Sequence, residues 1–153
     1  MVALAVKQYR WSDAVSLIEV TGTNPSDSNA PTPVVMPFDF QWKDQTVAML
    51  GLEYRLGETF TLRGGFNHGA SPVPDETLNP LLPAITEDHA TVGLGYNWGA
   101  GNTFNFALER AFEATQTNSN SNPQLNPFAG STISHSQWTV SCGYSKAFAR
   151  KMK

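Results

Sequence analysis

Residues 89–110 read HATVGLGYNWGAGNTFNFALER. The stretch is two alternating segments around a Gly-rich turn. Ala90, Val92, Leu94, Tyr96 and Trp98 share one face with Phe104, Phe106 and Leu108, while Thr91, Gly93, Gly95, Asn97, Asn105 and Glu109 occupy the other. Period two with turn residues between is the signature of a β-hairpin. The fold turns on what the apolar face meets. In a layered protein it is a second sheet or a helix; in a membrane barrel it is lipid.

Composition narrows the choice. In 153 residues the charged fraction is 15%, against about 25% for ordinary soluble domains. Mean hydropathy is slightly negative at -0.28, and no segment has the roughly 18 uncharged apolar residues of a spanning helix. Both facts suit strands whose apolar and polar residues alternate. A formal net charge of -3 and scattered Lys and Arg offer no basic stripe, which excludes nucleic acid as a partner. The single cysteine, Cys142, cannot form a disulfide within the chain. The opening MVALAVKQYRW has no basic region followed by an apolar run, so no signal peptide is expected, and it already reads as a strand.

Six period-two segments follow, and none has a capped helical period. They are expected at about 2–11 (continuing toward Val20 past an irregularity at Ser12 and Asp13), 34–56, 59–68, 88–98, 103–114 and 136–148. Their connections alternate between short (around 57–59 and 99–102) and long, polar and Pro-rich. An all-β, antiparallel up-and-down meander with short turns at one end and long loops at the other is the layout of outer-membrane barrels. Keeping apolar residues on one side predicts the pairs Leu56 with Phe60, Tyr54 with Leu62, Leu50 with Phe66, Trp98 with Phe104, Tyr96 with Phe106 and Leu94 with Leu108. Glu53 then opposes Arg63, Gly93 opposes Glu109, and Arg110 faces outward opposite Val92. Tyr54, Phe60, Tyr96, Trp98 and Phe104 form a predicted aromatic girdle beside the short turns, with Trp42, Trp138 and Phe112 forming the other. In the last segment Trp138, Val140, Cys142, Tyr144, Lys146 and Phe148 point outward, leaving residues 149–153 as a short basic tail.

These features carry a family resemblance. WKDQTVAMLGLEYRLGETFTLRGGFNHGASPVPDETLNPLLPAITEDHATVGLGYNW, with VSCGYSKAF at the end, covers residues 42–148 in matching order. It resembles the C-terminal part of the FadL/TodX family of outer-membrane transporters for long-chain fatty acids and aromatic hydrocarbons. The resemblance implies a location in the Gram-negative outer membrane and a barrel of about fourteen strands with an N-terminal hatch inside. This chain would be its C-terminal portion, its partners the missing barrel strands and hatch, outer-membrane lipid and a hydrophobic small molecule. It implies passive uptake, with no cofactor and no catalysis. It also implies ligand contact at Lys43, which shares the inward face with Gln45 and Met49.

Lys43, Met49 and Arg63 are therefore the candidate ligand-binding residues, although Lys43 also fits a solvated rim charge and Arg63 an ion pair with Glu53. Val73, Leu78, Leu81, Leu82 and Ile85 are candidates for an external capture groove or for packing the loop onto the barrel. His68 and His89 fall on opposite faces, so His68, His89 and His135 do not converge as metal ligands. For an enzyme, the acid–base pair to consider is His89 with Glu113. A general diffusion porin or structural barrel is the alternative function, and a soluble lipid-binding β protein the third.

Overall fold

A computed structural model describes residues 1–23, 26, 32–123 and 126–147. Phe148 and the tail at 149–153 lie outside the described residues. The strands are β1 (Val2–Tyr9), β2 (Leu17–Gly22), β3 (Val34–Asp39), β4 (Gln45–Leu56), β5 (Phe60–His68), β6 (Asp88–Gly99), β7 (Asn102–Thr117) and β8 (Thr132–Lys146). Six of them make one antiparallel sheet in the order β1-β4-β5-β6-β7-β8, and β2 pairs with β3 as a separate hairpin. Consecutive strands are thus neighbours, as the meander predicts, except that β2 and β3 extend the β1–β4 pair beyond the sheet.

The segment expected to run unbroken over 34–56 is interrupted between β3 and β4. Gln41 adopts a positive φ of 46°, and Phe40 and Trp42 turn into a small core instead of continuing the strand. Opposite them a short 3-10 turn at Trp11–Asp13 breaks the first segment at the expected irregularity.

Register divides the sheet into two chemically distinct faces. The predicted pairs Leu56 with Phe60, Tyr54 with Leu62, Leu50 with Phe66 and Glu53 with Arg63 are all present. The β6–β7 register differs from expectation by two residues: Tyr96 opposes Phe104, Leu94 opposes Phe106, Arg110 opposes Ala90, and Gly93 opposes Ala107 while Glu109 opposes Thr91. The reason is a bulge between Asn97 and Gly99. Gly99, Ala100 and Gly101 all take positive φ, and the turn is tighter than the four residues allotted to it. A slip of two preserves faces, so every side chain still points as the alternation requires.

On the outer face the rungs read Tyr144–Phe104–Tyr96–Phe60–Leu56, then Cys142–Phe106–Leu94–Leu62–Tyr54, then Val140–Leu108–Val92–Gly64–Leu52–Val2. These three rungs carry no charge, and their large residues stand in the open: Val92 is 60% exposed and Val140 63%. In water a patch of this extent would be an aggregation surface. The side chains buried most deeply lie elsewhere, among the loops, where Phe40, Trp42, Val73, Leu78 and Ile85 pack together against Trp11, Val15, Phe38, Ala114 and Ile133.

Candidate functional site

The loop between β5 and β6, residues 69–87, folds back across the inner face. Gln45 Nε2 donates to the carbonyls of Gly69 and Ala70, at 3.4 and 2.8 Å, and the Lys43 amide donates to Pro72 O at 2.8 Å. On the far side Gln116 Nε2 donates to Val73 O at 2.8 Å and to Asp75 Oδ1 at 2.7 Å. Asn118, buried, donates from Nδ2 to Leu78 O at 2.8 Å, and Asn126 Nδ2 donates to Glu76 O at 3.1 Å. These side-chain amides supply partners to loop backbone that no ladder satisfies. Leu78 and Ile85, 0% and 1% exposed, seat the loop from below. Val73, Leu78 and Ile85 thus pack the loop down, with Val73 and Ile85 also lining an open recess of about 480 Å³ against Phe112 and Gln116 of β7, whereas Leu81 and Leu82 remain exposed.

Beside this loop lies an open recess of about 420 Å³, lined by residues that include Tyr9, Trp11, Val47, Met49, Pro72 and Ala84. Tyr9 and Trp11 stack with centroids 5.5 Å apart and planes 14° from parallel, and Trp11 Nε1 donates to Gln45 Oε1 at 3.3 Å. Asn67, His89, Gln45 and Glu87 supply its polar groups. The sheet side of the recess is the inner rung Ala5–Met49–Asn67–His89, so Met49 stands in the wall as parity predicts. Lys43 is exposed beside the cap, tied to it through its backbone alone.

Arg63 lies further from the loops, one inward position beyond Gly65 on β5. Its Nε donates to Glu53 Oε2 at 3.0 Å and its Nη1 to Asn105 Oδ1 at 3.1 Å, while Arg55 Nε donates to Glu53 Oε1 at 3.0 Å. A Cβ on Gly95 would stand 3.1 Å from both Arg63 Nη1 and Asn105 Oδ1. The glycine therefore makes room for the guanidinium to lie across β6. A further recess of about 430 Å³ opens here against Arg63, Gly65, Thr91, Gly93, Asn105 and Ser141.

His68 Nδ1 and Asp88 Oδ1 are 2.8 Å apart on the outer face, and His89 Nδ1 lies 3.5 Å from Glu109 Oε1 on the inner. The expected His89–Glu113 pair does not form, because the β6–β7 register places Glu109 one rung from His89 and β7 bulges between Ala111 and Ala114. Trp42 belongs to the loop core and not to an aromatic girdle, since the chain turns inward there. Phe60, Tyr96, Trp98 and Tyr144 do form a continuous cluster beside the short turns, with successive centroids 5.1, 5.8 and 5.8 Å apart. Tyr9 and Trp11 were missed as site residues, though their alternation with Lys7 on the inner face was readable.

A search of curated protein sequences finds no match. The solved structure of the Pseudomonas putida toluene transporter TodX matches with a TM-score of 0.72 at 22% identity, over 97% of this chain and 31% of that one. A TodX monoaromatic hydrocarbon channel with its S2 segment deleted matches at 0.71 and 24% identity, over 97% and 32%, and the S2S3 deletion mutant at 0.70 and 24%, over 96% and 31%. The likeness is one of fold, a partial β-barrel, and the chain spans about a third of the length of these structures. A family model described as outer membrane protein transport protein (OMPP1/FadL/TodX) matches residues 1–148. The chain belongs to this family of Gram-negative outer-membrane proteins.

Proposed function

We propose that this chain forms part of the wall and the extracellular mouth of a passive outer-membrane channel for hydrophobic compounds. The observation that carries this is the open recess beside the 69–87 loop, lined by stacked Tyr9 and Trp11 with Val47, Met49, Pro72 and Ala84. A pocket mainly apolar and aromatic with a few polar groups is what a small hydrophobe requires. A general diffusion porin needs a polar, water-filled passage instead.

The lining of this recess has no lysine or arginine among the described residues and includes the Glu87 carboxylate. That balance favours an uncharged ring compound, of the kind the TodX structures are named for, over a long-chain fatty acid. A fatty-acid carboxylate would need Lys43 to reach in from the rim, and Arg63 to serve a deeper position despite its bonds to Glu53 and Asn105. Met49 is the contact residue in either case. The remaining barrel strands and inner hatch that the family resemblance implies would cover the unpaired edges of β1 and β8, since open edges are not tolerated in lipid.

Binding to the complete barrel that contains this chain, in detergent micelles, tests the reading. Toluene is expected to change the Trp11 fluorescence, with the change lost in Trp11→Phe and weakened about tenfold in Met49→Asp, which places a charge in the wall. Oleate binding that exceeds toluene binding and disappears in Lys43→Gln would reverse the preference. Swelling in sugar of liposomes bearing the complete barrel that contains this chain would favour the porin.

A further inference from the structure

Arg110 is the feature that a uniformly apolar outer surface does not explain. Its rung reads Trp138–Arg110–Ala90–Phe66–Leu50–Leu4, immediately above the three uncharged rungs on the side of the long loops. The guanidinium carbon lies 5.1 Å from the centre of the Trp138 ring, and Trp138 is itself 62% exposed. No carboxylate among the described residues comes within ion-pair distance of Arg110. The next outward position on β6 beyond Ala90 is Asp88, whose carboxylate faces His68 Nδ1 at 2.8 Å. Stacking on Trp138 holds the guanidinium in place but leaves its donors without a hydrogen-bond partner among the described residues, because a ring face accepts charge without accepting fork-like hydrogen bonds.

We propose that Arg110 and Trp138 form a docking site for the phosphate of an outer-leaflet lipid. This rests on the reading that the outer face meets the bilayer. Trp is the residue that settles at headgroup depth, with its ring among acyl chains and its polar edge among headgroups. An arginine fixed beside it at that depth presents planar donors where phosphate oxygens lie, and arginine–phosphate pairs are commonly bidentate. A free cation buried lower in the band would cost about 2–4 kcal/mol, and the cost falls toward zero at the interface. The site thus orients one anionic headgroup against β7 and β8, the strands with the longest rise toward the extracellular end.

The test uses native mass spectrometry of the complete barrel that contains this chain, with phosphatidic acid and, separately, diacylglycerol of the same acyl chains. Phosphatidic acid is expected to be retained in preference to diacylglycerol, and Arg110→Gln to weaken that retention roughly tenfold, the effect of losing charge-assisted hydrogen bonds. Arg110→Lys, which keeps the charge but loses the planar fork, should fall between them. Rising ionic strength should weaken retention in the unmodified barrel, a measurement that needs no variant. Equal retention of the two lipids, or retention insensitive to both salt and Arg110, overturns the proposal. So does displacement by millimolar inorganic phosphate as effective as by the lipid. In parallel, brominated phosphatidylcholine should quench the part of the fluorescence that Trp138→Phe removes. Absence of that quenching overturns the lipid-facing reading itself, whereas quenching without phosphate selectivity leaves that reading and removes only the docking site.

Discussion

Asp44 shows how much one side chain contributes where the first strand pair leaves the sheet. Its Oδ1 accepts from Ser12 Oγ at 2.7 Å and from the Ser12 amide at 3.1 Å, closing the gap between the Trp11–Asp13 turn and the start of β4. These bonds, with a smaller effect from the positive charge of Arg10, hold the carboxyl below its ordinary value of 3.8. A depressed acid favours the folded state when ionised, so its contribution is complete above that ordinary value and is lost as pH falls through the lower folded value. Protection of the Ser12 amide from hydrogen exchange should therefore persist at neutral and mildly acidic pH and decline only in strong acid. In Asp44→Asn the protection should be weaker and nearly independent of pH. At the same scale, Gly95 and Arg63 were legible as inward residues, but their contact was not, because it spans two strands and depends on how the guanidinium lies.

Among the elements, the 69–87 loop behaves as a packed lid with its own core. Leu78 and Ile85 are buried as deeply as any residue described, yet the sequence around them, SPVPDETLNPLLPAITE, has neither strand nor helix period. Whether such apolar loop residues point out to capture ligand or in to anchor the loop is decided by contacts with Phe40, Trp42 and Ile133, all distant in the chain. Leu78→Ala should cost about 2–5 kcal/mol, the usual penalty for a cavity in a packed core. Because the loss is local, limited proteolysis should speed up within 69–87 while the sheet keeps its far-ultraviolet signal. Unchanged cleavage would mean that the polar anchors at Gln45, Gln116 and Asn118 suffice without the apolar seat. The β6–β7 hairpin gives the complementary lesson: its faces were readable from alternation, and its register was not, because a single bulged residue at the turn shifts pairing without altering composition.

For the whole molecule, the decisive property is the sorting of chemistry between two faces of one sheet. Outward positions from Leu56 and Tyr144 up to Val2 and Val140 are uncharged, while the same strands carry Glu53, Arg55, Arg63 and Glu109 inward. Adjacent residues should therefore respond oppositely to the same change. Val92→Arg places a charge among the three uncharged outer rungs and should reduce folding of the complete barrel into vesicles, by up to about 2–4 kcal/mol. Thr91→Arg faces Gly65 and Glu109 on the inner side and should fold nearly as well as the unmodified chain. Folded yield in vesicles, compared between the two variants, checks this, and equal loss from both would contradict a lipid-facing outer surface.

Alternation, turn residues and the grouping of short and long connections were sufficient for the six strands of the main sheet, for the direction their side chains face and for the family. All of these depend on the two-residue period of a strand, which every residue reports locally. The β2–β3 extension, the turn of Phe40 and Trp42 into a loop core, the recess lined by Tyr9 and Trp11, and the stacking of Arg110 on Trp138 were decided by tertiary structure alone. Each brings together residues from different strands or loops, and the free energy of such contacts depends on register and chain path, which no local period encodes.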